Sequence, residues 1–131
     1  MPKIVRILGM APNLGDMPPT APGIEVWCSN EKRGFLKRLP RIISENEWSR
    51  WFNLHSRAWM QHKYQRTLNW YLEQDGSKPI YTQKFWSDIP GSVEFPRKQV
   101  QCAFPLKDGS PSRYFTCTAT WLIAFAILEG F

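Results

Sequence analysis

Lys3-Ile-Val-Arg-Ile-Leu-Gly-Met-Ala-Pro-Asn-Leu-Gly-Asp16 begins as a short apolar run and gives way, at Gly9, to small residues. Ile4, Val5, Ile7 and Leu8 favour a buried β-strand, and Gly9 allows backbone angles and a close approach that a side chain would forbid. A loop at the carboxyl end of a first parallel strand offers free N–H groups to the crevice in which α/β sheets bind nucleotides. Two departures qualify that reading. Ala11 stands where a dinucleotide fingerprint has its second glycine, and the chain contains no Gly-Lys-Ser/Thr, which argues against a Walker-type ATPase.

Further strand-like runs end in polar residues. Ile24 to Cys28 alternates and stops at Ser29-Asn30, so Asn30 is a candidate base or ribose contact, or simply the start of a turn. Trp51-Phe-Asn-Leu-His55 reads as a third strand, and His55 as a phosphate ligand, an acid/base group or a packed histidine. Pro79 to Gln83 reads as a fourth strand. Between these runs, Ser44-Glu-Asn-Glu47 has capping-box spacing and predicts one short turn. Ala58 through Gln74 predicts one amphipathic helix, with Trp59, Met60, Tyr64, Leu68, Tyr71 and Leu72 on its core face and Asp75-Gly76 as its stop. Lys84 to Pro111, interrupted by prolines 90, 96, 105 and 111, predicts a long loop with one edge strand near Val93 to Phe95.

The last segment predicts a buried helix over Trp121 to Gly130, with Gly130 at its carboxyl end. Thr116, Thr118 and Thr120 gather hydroxyls at its entrance, where backbone amides and the dipole favour an anion. One threonine is expected to cap the helix, and Thr116 and Thr118 are the candidate phosphate contacts. The expected fold is α/β, a Rossmann-like three-layer sandwich with a mostly parallel sheet, formed by one domain spanning 1–131.

Seventeen Lys and Arg against eleven Asp and Glu give a net charge of +6, which favours anionic partners such as nucleotides or phosphorylated metabolites. The basic cluster Glu31-Lys-Arg-Gly-Phe-Leu-Lys-Arg38 reads as a solvated loop more readily than as a nucleic-acid patch. Cys28, Cys102 and Cys117 form no Cys-x-x-Cys pair and leave an odd one over, which fits a reducing, cytoplasmic setting. His55 and His62 lie remote from every cysteine, and Asp16, Asp88 and Asp108 lie far apart, so no metal site is indicated. No leader pattern is seen at the N-terminus. The apolar run Ala119 to Leu128 is about half the length a bilayer requires, so no membrane partner is expected.

Taken together, Leu8 to Asn13, Trp27-Cys-Ser-Asn30, Trp51 to His55 and Thr116 to Phe131 resemble a group of Rossmann-like phage proteins. That group is similar to the Campylobacter-type bacterial sialyltransferases and the 6-hydroxymethylpterin diphosphokinase-like proteins. The resemblance implies that Gly9, Ala11, Pro12 and Asn13 flank a ligand's phosphates, that Asn30 meets the nucleoside, and that Thr116 and Thr118 meet phosphate or sugar. Asn13 replaces the family's serine. The relatives continue with a further strand and the sialyltransferase histidine, so the resemblance implies a sheet cut short on its C-terminal side. An exposed edge there would favour a homodimer. The function expected is binding of a nucleotide or nucleotide sugar, with glycosyl or phosphoryl transfer if the protein is active and His55 as the proton carrier. Two rivals stand beside it: a non-catalytic phage accessory that sequesters a nucleotide or docks on a host protein, and a small basic nucleic-acid-binding accessory. No cofactor is specified.

Overall fold

The computed structural model describes residues 3–9, 21–30, 47–113 and 115–131. Ala11, Pro12, Asn13, Asp16, the basic cluster 31–38 and most of the Ser44–Glu47 capping box lie outside the described residues. Among the described residues, five strands form an all-parallel sheet in the order β1 (Ile4–Leu8), β2 (Ile24–Ser29), β3 (Arg50–Asn53), β4 (Ile80–Thr82) and β5 (Ser92–Glu94). Four helices within the described residues flank the sheet in an α/β, Rossmann-like sandwich: α1 (Arg57–Lys63), α2 (Gln65–Leu72), α3 (Arg97–Ala103) and α4 (Thr118–Leu128).

Side chains alternate across the sheet, because successive residues of a strand point to opposite faces. Val26, Cys28, Trp51 and Ile80 face one layer, where they meet Met60, Leu68, Trp70 and Tyr71 from α1 and α2. Trp27, Phe52 and Tyr81 face the other, against Val100 of α3 and Trp121, Leu122 and Phe125 of α4. Both faces being covered explains why consecutive residues, Val26 to Cys28 in β2 and Trp51 and Phe52 in β3, are all buried. Much of the core is aromatic. Trp51 packs edge-on to Trp70 at 4.7 Å between ring centroids, and Phe52 stacks on Tyr81 at 4.7 Å.

Several expectations are corrected. The third strand ends at Asn53, leaving Leu54 and His55 beyond the ladder. The helix predicted over Ala58 to Gln74 is two helices, broken at Tyr64, whose φ of −132° and ψ of 40° leave the helical region. The break lets Tyr64 stack on His55 at 5.6 Å while Met60 and Leu68 on either side both stay buried, so tertiary packing overrides a helical propensity. The segment from Lys84 to Pro111 carries the expected edge strand as β5 but also a helix not expected from its sequence: α3 occupies Arg97–Ala103 between Pro96 and Pro105. Its seven residues bury Val100 alone, too little to produce a readable period.

The last helix is not wholly buried. Trp121, Leu122 and Phe125 face the sheet, whereas Ile123 and Ile127 are 51% and 56% exposed. It ends where expected. Gly130, at φ 79°, donates to the Ile127 carbonyl, and Phe131 donates to that of Ala126, the paired bonds of a Schellman motif. This end is fastened to the amino side of the sheet by Arg50, which pairs with Glu25 at 2.8 Å and Glu129 at 2.5 Å and lies over the Trp27 ring. Burial opposes the charge on Arg50. The two carboxylates outweigh that cost and raise its pKa.

Candidate functional site

Because the strands are parallel, their carboxyl ends share one edge of the sheet. Among the described residues the strand order never reverses, so no crevice arises from a switch in strand order. Instead, α4 begins beside the ends of β1, β2 and β3, and a cleft of about 500 Å³ opens between them.

Gly9 forms the β1 side of this cleft. Its φ does not lie in the left-handed region, and a Cβ added to it would meet no atom within 4 Å, so the expected backbone requirement for glycine is not observed. Its lack of a side chain leaves the floor of the cleft open. Ser29, the last residue of β2, donates from its hydroxyl to the Leu8 carbonyl at 3.2 Å and ties the first two strand ends together.

Asn30 follows with φ 61°, the one left-handed non-glycine residue among those described. Such a conformation costs an L-residue about 1 kcal/mol and is best tolerated by asparagine. Three hydrogen bonds hold it there. The Asn30 amide donates to the Phe52 carbonyl at 2.8 Å, and its own carbonyl accepts from Trp51 Nε1 and the Tyr71 hydroxyl, both at 3.0 Å. With the backbone fixed, the Asn30 side chain faces α4. Its Oδ1 lies 3.5 Å from the Thr118 hydroxyl, at the outer limit of a hydrogen bond.

His55 is positioned by Asn53, a fully buried amide whose Oδ1 accepts from the His55 N–H at 3.2 Å and whose Nδ2 donates to the Tyr71 hydroxyl at 3.2 Å. The imidazole stacks on Tyr64, and partial burial lowers its pKa, which keeps it neutral near pH 7. A neutral imidazole can accept a proton, and an anion bound beside it stabilises the cation that then forms.

On the far wall, Thr116, Cys117, Thr118 and Ala119 lead into α4. The expectation that a threonine caps this helix is corrected: Cys117 is the N-cap, with no side-chain capping bond, and the Thr120 hydroxyl donates back to the Cys117 carbonyl at 2.8 Å. The first N–H groups of α4 lack carbonyl partners within the helix, as at any helix start, and add positive potential to the wall. The Thr120 amide favours the Cys117 thiolate and lowers its pKa.

Of the candidates drawn from the sequence, Gly9, Asn30, His55, Thr116 and Thr118 therefore line one cleft. Ala11, Pro12 and Asn13 lie outside the described residues. Sequence reasoning missed Asn53, Trp51 and Tyr71, which position the lining residues from behind. Asn53 carried the better signal, a polar residue inside an apolar strand. Among the described residues, no group of three or more His, Cys, Asp or Glu side chains could hold a metal ion, and no helix is long and apolar enough to cross a membrane. No protein-family model, curated protein or solved structure matches the chain.

Proposed function

We propose that the cleft at the carboxyl ends of β1, β2 and β3 binds the phosphate group of a nucleotide, free or sugar-linked. One observation carries this reading: Gly9, Asn30, His55, Thr116 and Thr118, from four separate segments of the chain, converge on one cleft of about 500 Å³. The groups suit an anion. An open glycine floor, an amide, two hydroxyls, a helix start and an imidazole ready to take a proton supply donors without a competing carboxylate among the described lining residues. The net charge of +6 draws such ligands toward the protein.

On the resemblance drawn from the sequence, the reaction is glycosyl or phosphoryl transfer in the manner of a phage-type transferase. An acceptor hydroxyl loses its proton to His55 as its oxygen bonds to the transferred group. The bond to the nucleotide phosphate breaks, and the amide, hydroxyls and helix start stabilise the charge left on that phosphate. A second reading, a binder that sequesters the nucleotide without turnover, is favoured by the same lack of a lining carboxylate: His55 and Cys117 are then the only lining residues, among those described, that could serve as a base.

A thermal-shift panel of nucleotides and nucleotide sugars tests the proposal, since a ligand that binds only the folded protein raises its Tm. At least one compound is expected to raise Tm by several degrees at saturation. Asn30→Gly, which keeps the left-handed backbone accessible while removing the amide, is expected to lose most of that rise. No rise with any compound contradicts the proposal. Turnover of a nucleotide sugar separates the transferase from the binder.

A further inference from the structure

Leu54 and Trp121 line not only this cleft but also a smaller, more enclosed pocket of about 100 Å³, completed by Gln83, Phe95 and Arg97. Phe95 and Trp121 are buried and pack edge-on at 5.9 Å, and Leu54 adds a third apolar wall. Gln83 and Arg97 are exposed and stand at the solvent side. The Arg97 guanidinium lies over the Trp121 ring at 5.2 Å, and the fully buried Thr82 donates from its hydroxyl to the Lys84 carbonyl at 2.5 Å, which folds the backbone around Gln83.

Size and chemistry restrict what fits. Sites for drug-sized ligands begin near 300 Å³, so this pocket suits a single planar ring system and excludes a base together with its sugar. Three apolar walls contact the faces of a ring. A carboxamide offers a donor and an acceptor side by side, the pattern that pairs with the edge of a nucleobase, and a guanidinium offers further donors to ring carbonyls or nitrogens.

We propose that this pocket holds the base of a nucleotide whose phosphate lies in the adjoining cleft, so that the ligand is a nucleoside phosphate rather than a sugar phosphate. The inference rests on the phosphate reading above and deepens it. It moves base recognition from Asn30, which then serves the phosphate end, to Gln83 and Arg97.

Calorimetric titration with AMP, GMP, CMP and UMP, beside ribose 5-phosphate as the baseless probe, tests it. At least one nucleotide is expected to bind about tenfold or more tighter than ribose 5-phosphate, as one or two additional hydrogen bonds and ring burial imply. Gln83→Ala is expected to remove about tenfold of that nucleotide's affinity and leave ribose 5-phosphate unchanged. Gln83→Trp, which fills the pocket, is expected to reduce the nucleotide to the affinity of ribose 5-phosphate. Equal binding of ribose 5-phosphate and every nucleotide, or an equal loss for both in Gln83→Ala, overturns the base pocket while leaving the phosphate cleft standing. If no phosphorylated probe binds, both readings fall.

Discussion

The Tyr71 hydroxyl donates to the Asn30 carbonyl at 3.0 Å, across 41 positions of sequence, and accepts from the buried Asn53 amide at 3.2 Å. One phenol thus links the residue behind His55 to the left-handed turn that aims Asn30 at α4. Tyr71→Phe keeps the ring in the core but removes both bonds, leaving Asn53 Nδ2 without its Tyr71 acceptor. The variant is expected to be about 1 to 3 kcal/mol less stable in urea denaturation and to show a smaller ligand-induced rise in Tm. Unchanged stability and an unchanged rise would show that the hydroxyl does not position the cleft.

His55 gives the protein a pH dependence of known sign. Burial lowers its folded pKa beneath the ordinary value of about 6.5, so the unfolded chain binds the proton more readily. This contribution to stability is present above about pH 6.5 and is lost as pH falls through that value toward the folded pKa. A bound phosphate opposes this shift by favouring the imidazolium. Without ligand, Tm is therefore expected to fall between about pH 7 and pH 5.5, while nucleotide affinity rises over the same range. His55→Gln should flatten both trends. Affinity independent of pH would remove His55 from the phosphate contacts.

Gly91 enters β5 at φ 75°, and its carbonyl accepts from the Ile80 amide at 2.9 Å at the start of β4. A Cβ there would overlap the backbone carbonyl oxygen of Lys78, a group with no freedom to move aside. Gly91→Ala is expected to cost about 2 to 4 kcal/mol, combining the strained backbone with that overlap. Gly76→Ala, also left-handed but 3.4 Å from its nearest neighbour, should cost about 1 kcal/mol. Denaturant midpoints of the two variants check the order, which would be wrong if they matched.

Thr67 points the other way. Its side chain is fully buried in α2, and its hydroxyl has no hydrogen-bond partner among the described residues. Valine has the same shape and a similar helix propensity without the polar atom. Thr67→Val is expected to stabilise the protein by about 1 kcal/mol, read as a higher denaturant midpoint at unchanged slope. A loss of stability would mean that the hydroxyl is satisfied in solution.

The parts of the fold legible in the sequence are those encoded locally. Ile4 to Leu8, Ile24 to Cys28 and the apolar run of α4 each announce burial within a few residues, and Gly130 marks a helix end by its backbone preference alone. A parallel sheet then brings strand ends to one edge, which is why residues following apolar runs, Gly9, Asn30 and His55, come together. What the sequence concealed depends on partners distant along the chain. Tyr71 looks like any core aromatic until its hydroxyl is seen between Asn30 and Asn53. Tyr64 breaks a helix that its neighbours would continue, because its ring meets His55. The short α3, set between prolines with Val100 as its single buried residue, leaves no periodic trace. Gln83 follows β4 and Arg97 opens α3, and they acquire meaning only where both meet Phe95 and Trp121 around one pocket.

The most direct measurement is a titration of ¹⁵N-labelled protein with a nucleoside diphosphate, followed by two-dimensional ¹H–¹⁵N spectra. The account predicts saturable shifts concentrated at the amides of Gly9, Asn30, His55 and 116–119, with Gln83 and Arg97 shifting as the base pocket fills. Shifts confined to the outer faces of α1 and α2, or none at millimolar ligand, would contradict it.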